Sequence, residues 1–189
     1  MRKSVSGFTI VELLIVVVVI AILAAISIVA YTGIQNRAQD TRRLSDMRAI
    51  ATALEQYKVD NGRYPADSYS GLGNQSGWEN SAREASGQFI ASLNNSYGFS
   101  GQLPVDPINN SLEATFAEAR TNGTYAYYYH RYPAGTNGCD AARGAYYILG
   151  VTTTQTASTT PHPDSPGFVC AGGHSYQSWF SWVTGGYEN

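Results

Sequence analysis

The fold is decided at the start of the chain, where residues 1–30 read MRKSVSGFTIVELLIVVVVIAILAAISIVA. A short basic leader ends at Gly7, and the apolar run that follows contains one carboxylate, Glu12. No charge occurs between Leu13 and Asn36, so the run is long enough to cross a bilayer, which needs roughly 20 apolar residues. An ionised side chain near the centre of a membrane helix costs about 2.5–3.5 kcal/mol, so we interpret Glu12 as functional.

A secretory signal peptide is the alternative interpretation of this run. Signal peptides have a shorter apolar region, about 7–15 residues, with small residues at a cleavage site after it. Here a glycine precedes the apolar run and an amphipathic pattern follows it, which favours a membrane anchor. Because Arg2 and Lys3 precede the run, the leader is expected in the cytoplasm and the C-terminal bulk outside.

Residues 7–14, which read GFTIVELL, resemble the processing site of type IV prepilins and related pseudopilins. The resemblance implies that a membrane prepilin peptidase cuts between Gly7 and Phe8 and methylates the new amine of Phe8. It also implies an α+β fold, in which the second half of a long N-terminal helix packs on a small antiparallel sheet. In a bundle of such helices the amine of one subunit would lie near Glu12 of its neighbour. Glu12 is therefore predicted to set the assembly register, since breaking a buried charge pair commonly costs about 3–5 kcal/mol.

The pattern divides the chain into a leader (1–7), the transmembrane half of the helix (8–30), its amphipathic half (31–62) and a globular head (63–189). Gly62 is a helix stop signal. The amphipathic half is recognised from an apolar stripe at spacings of three and four, formed by Leu44, Met47, Ala51 and Leu54. Gly33 is the weakest helix former before this stop, so any local melting in a filament is expected near Ser27–Gly33.

The head is predicted to contain paired antiparallel strands at 124–132 and 145–153, because both runs are rich in tyrosine and β-branched residues. Shorter elements are predicted as strands at 167–170 and 179–183 and as helices at 81–93 and 112–120.

The two cysteines, Cys139 and Cys170, both fall in the head. An extracytoplasmic location favours a disulfide, which would close a loop of about 30 residues and contribute roughly 3.5–4 kcal/mol. Resemblance to pilins with a disulfide-bounded C-terminal region supports the bond. Two free buried thiols are the alternative.

No residue pattern indicates catalysis or a bound cofactor. The three histidines, His130, His162 and His174, match no metal-ligand spacing, and neither a Ser/His/Asp arrangement nor a phosphate loop is evident. We therefore expect neither enzyme activity nor a metal or cofactor.

Calcium is the one metal for which a resemblance exists. Residues 61–65 and 103–107 resemble segments of major pseudopilins, in which a loop binds calcium. Hard oxygen ligands are available, although not at a recognised spacing, from Asp106, Asn109, Asn110, Asp140 and Asp164. These residues are also common turn formers, which is the simpler interpretation.

Aromatic residues are numerous, with fourteen tyrosines and three tryptophans. Trp179, Trp182 and Tyr187 would suit an exposed adhesive patch, or they would pack within the sheet and core. From Ala66 to the C-terminus there are four basic and nine acidic residues, so the head is acidic and no nucleic-acid partner is expected.

By resemblance, the chain is predicted to be a structural subunit, the major pilin, of an extracellular type IV pilus serving adhesion, twitching motility or DNA uptake. The alternatives are a pseudopilin of a type II secretion system or a DNA-binding minor pilin. The expected partners are further copies of itself, the prepilin peptidase, a membrane platform protein and an assembly ATPase. The precursor is expected to span the cytoplasmic membrane once before it enters the filament.

Overall fold

A computed structural model of the chain describes residues 7–66, 77–82, 89–110, 116–156 and 161–189. Its helices are α1 (Ile10–Asn61) and α2 (Phe116–Asn122), and its strands are β1 (Glu79–Asn80), β2 (Tyr127–Tyr132), β3 (Tyr146–Val151) and β4 (Trp182–Tyr187). Single turns of 3-10 helix lie at Ala91–Leu93, Thr136–Gly138, Ala141–Arg143 and Tyr176–Ser178. The long helix and the small antiparallel sheet confirm the predicted α+β fold.

By its internal contacts the chain forms two compact units, Met1–Ala38 and Gln39–Asn189, and α1 contributes to both. Residues 1–6, and with them most of the predicted leader, lie outside the described residues. Within the first unit, α1 runs through Gly33 without a break. The hydroxyls of Ser27 and Thr32 donate to the carbonyls of Leu23 and Ile28 at 2.8 and 2.7 Å, a local bond that often bends helices slightly.

Helix α1 ends where the stop signal predicts. Gly62 has a φ of +71°, which a residue with a side chain rarely adopts. Its N–H donates to the carbonyl of Lys58 at 2.8 Å, the bond of a left-handed helix cap. The following residues therefore leave the helix axis, and Tyr64 turns into the core of the head.

The sheet has the order β1-β2-β3-β4, with every pair antiparallel. Pairing of β2 with β3 is confirmed, in a register that places Tyr129 opposite Leu149. Because successive side chains point to opposite faces of a strand, β2, β3 and β4 each contribute to two cores. One core packs the apolar stripe of α1 against Tyr127, Tyr129, Tyr147, Leu149 and Val151. The other packs Tyr128, Tyr146 and Ile148 against α2 and the aromatic side chains Phe168, Tyr176 and Phe180.

Two strand predictions were wrong in extent. The segment 167–170 forms no strand beyond an isolated bridge between Val169 and Ser175. The last strand begins at Trp182 rather than 179 and continues through Gly185 and Gly186. A Cβ on Gly186 would lie 2.6 Å from the Tyr64 hydroxyl, so a residue type that normally weakens strands is required here for close packing.

The helix predictions hold only in part. In the segment 81–93, residues 81–82 form a turn after β1 and residues 91–93 a single 3-10 turn, while 83–88 lie outside the described residues. The helix predicted at 112–120 is described from Phe116 and extends to Asn122, and 111–115 are not described. Ile90 has a φ of +44°, which is incompatible with a helix continuing through it.

Candidate functional site

The predicted cleavage junction lies before the first helical turn. Gly7 and Phe8 are exposed and outside the helix, which begins at Ile10. Phe8 is 88% exposed in the single chain. The junction is therefore accessible, but cleavage after Gly7 and methylation of Phe8 stay predictions.

Glu12 forms a capping box with Thr9. The Thr9 N–H and hydroxyl donate to one Glu12 oxygen at 2.8 and 2.7 Å, and the Glu12 N–H donates to the Thr9 hydroxyl at 3.2 Å. This reciprocal arrangement satisfies free N–H groups at the start of a helix. In the single chain one oxygen of the carboxylate is therefore already hydrogen-bonded, while its pairing with a neighbour's amine stays a prediction. Thr9 was not among the predicted residues, although the Thr-x-x-Glu spacing is a known capping signature.

The apolar residues of the first unit cover a helix surface that is exposed on all sides. Helix α1 is long and apolar enough to cross a membrane, and none of the apolar window that qualifies it is buried. Val29, for example, is 74% exposed and Ile10 85% exposed. So much contiguous apolar surface is unfavourable in water, and it requires either lipid or other apolar helices.

In the second unit, Arg43 is fully buried between two carboxylates. Its Nε and Nη2 donate to the two oxygens of Asp106 at 2.7 and 3.0 Å, and its Nη1 donates to Asp40 at 2.7 Å. The guanidinium also lies 4.7 Å from the centre of the Tyr125 ring. Asp106 in turn accepts N–H bonds from Ile108 and Asn109. This cluster ties α1 to the segment before α2, and sequence analysis did not identify it.

Asp40 extends the cluster to the segment after β3. Its carboxylate accepts the backbone N–H groups of Gln155 and Thr156, at 3.0 and 2.7 Å, and the Thr156 hydroxyl at 2.6 Å. Burial acts to raise the pKa of Asp40, but the hydrogen bonds from Thr156, Gln155 and Arg43 outweigh it and leave the pKa below its ordinary value. The carboxylate therefore stays ionised and paired at neutral pH.

A second cluster holds the C-terminal residues. Arg131 donates to Glu188 at 2.7 Å, and the backbone N–H of Tyr64 donates to the same carboxylate at 3.0 Å. Lys58, in the last turn of α1, donates to the carbonyl of Tyr187 at 2.6 Å. Burial acts to raise the pKa of Glu188, but the bonds from Arg131 and Tyr64 lower it below its ordinary value. The C-terminus is thus fixed to the end of α1.

Cys139 and Cys170 form a disulfide, and no described cysteine is free. The bond joins the segment between β2 and β3 to the segment before β4. Both residues are buried, at 4% and 2% exposure. A covalent link at this point limits separation of the loops that cover the second core.

Cys170→Ser is expected to lower the free energy of unfolding of the head by about 2–4 kcal/mol, because the unfolded chain regains the freedom of the closed loop. Thermal unfolding followed by circular dichroism measures the change, and reduction of the unaltered chain should reproduce it. Equal alkylation of both thiols in the folded, non-reduced chain would contradict this prediction.

Three of the candidate calcium ligands already accept hydrogen bonds from other described residues. Asp106 is engaged by Arg43, and Asp140 caps a 3-10 turn by accepting the N–H of Ala142. Asn110 accepts the N–H of Tyr125. Across the described ranges, no group of three or more His, Cys, Asp or Glu side chains is placed to hold a metal ion. Asp106, Asp140 and Asn110 therefore act as structural acceptors in this structure.

The hypothesis of an exposed patch of Trp179, Trp182 and Tyr187 is wrong. Trp182 is 1% and Tyr187 7% exposed, because β4 buries them in opposite cores. Only Trp179 is partly exposed, at the edge of the second core.

Two protein-family models match the chain. A family model for the prokaryotic N-terminal methylation motif matches residues 2–28. A second model, described as type II secretion system (T2SS), protein G, matches residues 30–141, more than half of the chain. Residues 142–189, which include β3 and β4, lie beyond this match. No solved structure matches the chain significantly.

Curated relatives carry the same description. The chain is 35% identical over 112 residues to the type II secretion system core protein G of Pseudomonas aeruginosa, covering 59% of this chain and 74% of that relative. It is 33% identical over 104 residues to the core protein G of Escherichia coli K12, covering 55% and 67% respectively. The match to the core protein G of Klebsiella michiganensis is shorter, 39% over 64 residues and 45% of that relative. The chain therefore belongs to the type II secretion system protein G family, a branch of the type IV pilin-like proteins.

Proposed function

We propose that this chain is a pseudopilin, the subunit of a filament that serves a type II secretion system. The match to protein G over residues 30–141 carries this proposal, and the methylation motif and the exposed apolar helix support it. The expectation of a major subunit of an extracellular type IV pilus therefore gives way to its alternative, a pseudopilin of a type II secretion system.

In the proposed mechanism the apolar half of α1 changes its surroundings from lipid to protein. A prepilin peptidase removes the leader after Gly7, and a platform protein and an assembly ATPase lift the subunit from the membrane. The apolar surface leaves lipid only if neighbouring copies of α1 cover it, so extraction and polymerisation are coupled. The role is structural and requires neither a catalytic group nor a cofactor in this chain.

Glu12 gives this assembly its register. A carboxylate buried among apolar helices is very unfavourable unless it meets a positive charge. The amine of Phe8 on a neighbouring copy supplies that charge when the two helices are staggered correctly. Any other stagger of the two helices leaves both charges unpaired and is therefore unfavourable.

A type IV pilus subunit remains the second candidate because of one observation. The Cys139–Cys170 disulfide encloses a C-terminal region that lies largely beyond the protein G match, and disulfide-bounded regions occur in the pilins that the sequence resembles. Deletion and complementation of the gene separate the two functions. If the chain is a pseudopilin, deletion of its gene stops export of the secreted proteins and leaves surface fibres intact. If it is a pilin, deletion removes the fibres and leaves export unchanged.

Processing is expected at the Gly7–Phe8 bond. Intact-mass measurement of the membrane protein should show a chain that starts at Phe8 and carries one added methyl group. A strain without the prepilin peptidase is the control and should retain residues 1–7. A mature chain cut after Ala30, or one that keeps Met1, would exclude prepilin-type processing.

A further inference from the structure

A polar cleft of about 220 Å³ lies on the head, where the end of α2 meets the chain after β3 and the 3-10 turn Tyr176–Ser178. Its lining residues are Arg120, Thr121, Thr152, Ser178 and Trp179. Neither the proposed assembly through α1 nor the two charge clusters of the head use these side chains.

Arg120 is a cation with free donors in this cleft. Its guanidinium lies 5.1 Å from the centre of the Trp179 ring and 6.0 Å from that of Phe116. Among the described residues it makes no ion pair and no hydrogen bond. A guanidinium that packs on an aromatic ring keeps the N–H groups at its edge available, and those groups match a carboxylate in two-point geometry.

Arg120 needs a hydrogen-bond acceptor from the ligand, whereas the hydroxyl groups of the cleft need hydrogen-bond donors. Each already donates its proton to a backbone carbonyl: Thr121 to Ala117 at 3.0 Å, Thr152 to Thr124 at 2.8 Å and Ser178 to Ser175 at 3.2 Å. A hydroxyl has one proton but two lone pairs, so these oxygens remain acceptors. A ligand of this cleft must therefore offer a carboxylate to Arg120 and hydroxyl protons to the threonines and the serine.

We propose that the cleft binds a sugar acid, a single uronate unit of an acidic polysaccharide. Such a unit carries a carboxylate and several hydroxyl donors on one small ring, and the cleft is smaller than the roughly 300–1,000 Å³ of drug-sized sites. An acidic peptide side chain or inorganic phosphate satisfies Arg120 but supplies few donors to the hydroxyl oxygens. A neutral sugar supplies the donors and leaves the cation without a counter-charge.

Tryptophan fluorescence tests the proposal on the full-length chain in detergent. Trp78 and Trp182 are buried, at 4% and 1% exposure, so Trp179 is the tryptophan that a solvent-side ligand can affect. Titration with trigalacturonate should change the emission in a saturable way. Arg120→Gln should weaken that binding by about tenfold or more, because it removes a charged two-point contact. Ser178→Ala should weaken it by a smaller factor.

Arg143→Gln is the matched control. Arg143 also lies over an aromatic ring, 3.8 Å from the centre of Tyr187, but it does not line the cleft, so binding should be unchanged. Near-ultraviolet circular dichroism verifies that the variants are folded. Weaker binding of neutral trigalactose and of an aspartate-rich peptide supports the proposal. The proposal is overturned by no saturable change at millimolar trigalacturonate, by equal binding to Arg120→Gln, or by equally tight binding of the peptide or of phosphate.

Discussion

Glu12→Gln is expected to yield a subunit that is cut and inserted into the membrane normally but assembles poorly. The substitution keeps the shape of the side chain and removes its charge, so the amine of Phe8 on a neighbouring copy would be buried without a partner. Breaking a buried pair commonly costs about 3–5 kcal/mol, which corresponds to a loss of roughly a hundredfold or more in association at each contact. Quantitative electron microscopy of filaments from cells that overexpress the subunit measures the loss.

Thr9→Val separates this role from helix capping. Thr9 and Glu12 bond to each other in the single chain, so a weakened helix start is the alternative cause of a defect in Glu12→Gln. Loss of an N-cap costs about 0.5–2 kcal/mol, less than loss of a buried charge pair. Thr9→Val should therefore assemble better than Glu12→Gln. Equal filament yields from the two variants would assign Glu12 to capping, and full yield from Glu12→Gln would remove it from assembly.

The elements that sequence analysis predicted well are those with local signals. Helix α1 has an apolar run, an amphipathic stripe and a glycine stop, and its observed end at Asn61 follows from these. Strands β2 and β3 are recognisable from their tyrosine and β-branched content. The predicted helix–sheet fold rested on the resemblance carried by residues 7–14, since no local pattern reports how a helix packs on a sheet.

The parts that were missed depend on contacts distant in sequence. Strand β4 was placed too early because Gly185 and Gly186 weaken its local signal, although Gly186 is what allows Tyr64 and Glu55 to approach. Arg43 lies in the amphipathic half of α1, where a charged side chain is usually solvated, but it is fully buried. Its partner Asp106 lies 63 residues away, and no spacing in the sequence connects them.

Arg43→Met is expected to lower the free energy of unfolding of the head by about 3–5 kcal/mol. Methionine fills a similar volume, so the main consequence is electrostatic rather than a cavity. Asp106, whose side chain is fully buried, would lose its two bonds from the guanidinium, and Asp40 would keep only the donors from Gln155 and Thr156. Chemical denaturation of the full-length chain in detergent, followed by circular dichroism, measures the change.

Arg42→Met is the matched control for this variant. Arg42 is the preceding residue on the same helix, but its side chain is 61% exposed and its contact with Asp46 is 3.7 Å long. Exposed pairs of this kind contribute at most about 1 kcal/mol, so the free energy of unfolding of the control should be close to that of the unaltered chain.

The double variant Arg43→Met/Asp106→Asn tests whether the unpaired buried charge causes the loss of stability. Asparagine removes the unpaired charge and can still accept the N–H of Ile108, so it should recover part of the stability lost in Arg43→Met. The buried charges are not what joins α1 to the head if Arg43→Met lowers the free energy of unfolding no more than Arg42→Met does. The same conclusion follows if adding Asp106→Asn to Arg43→Met lowers the free energy of unfolding further.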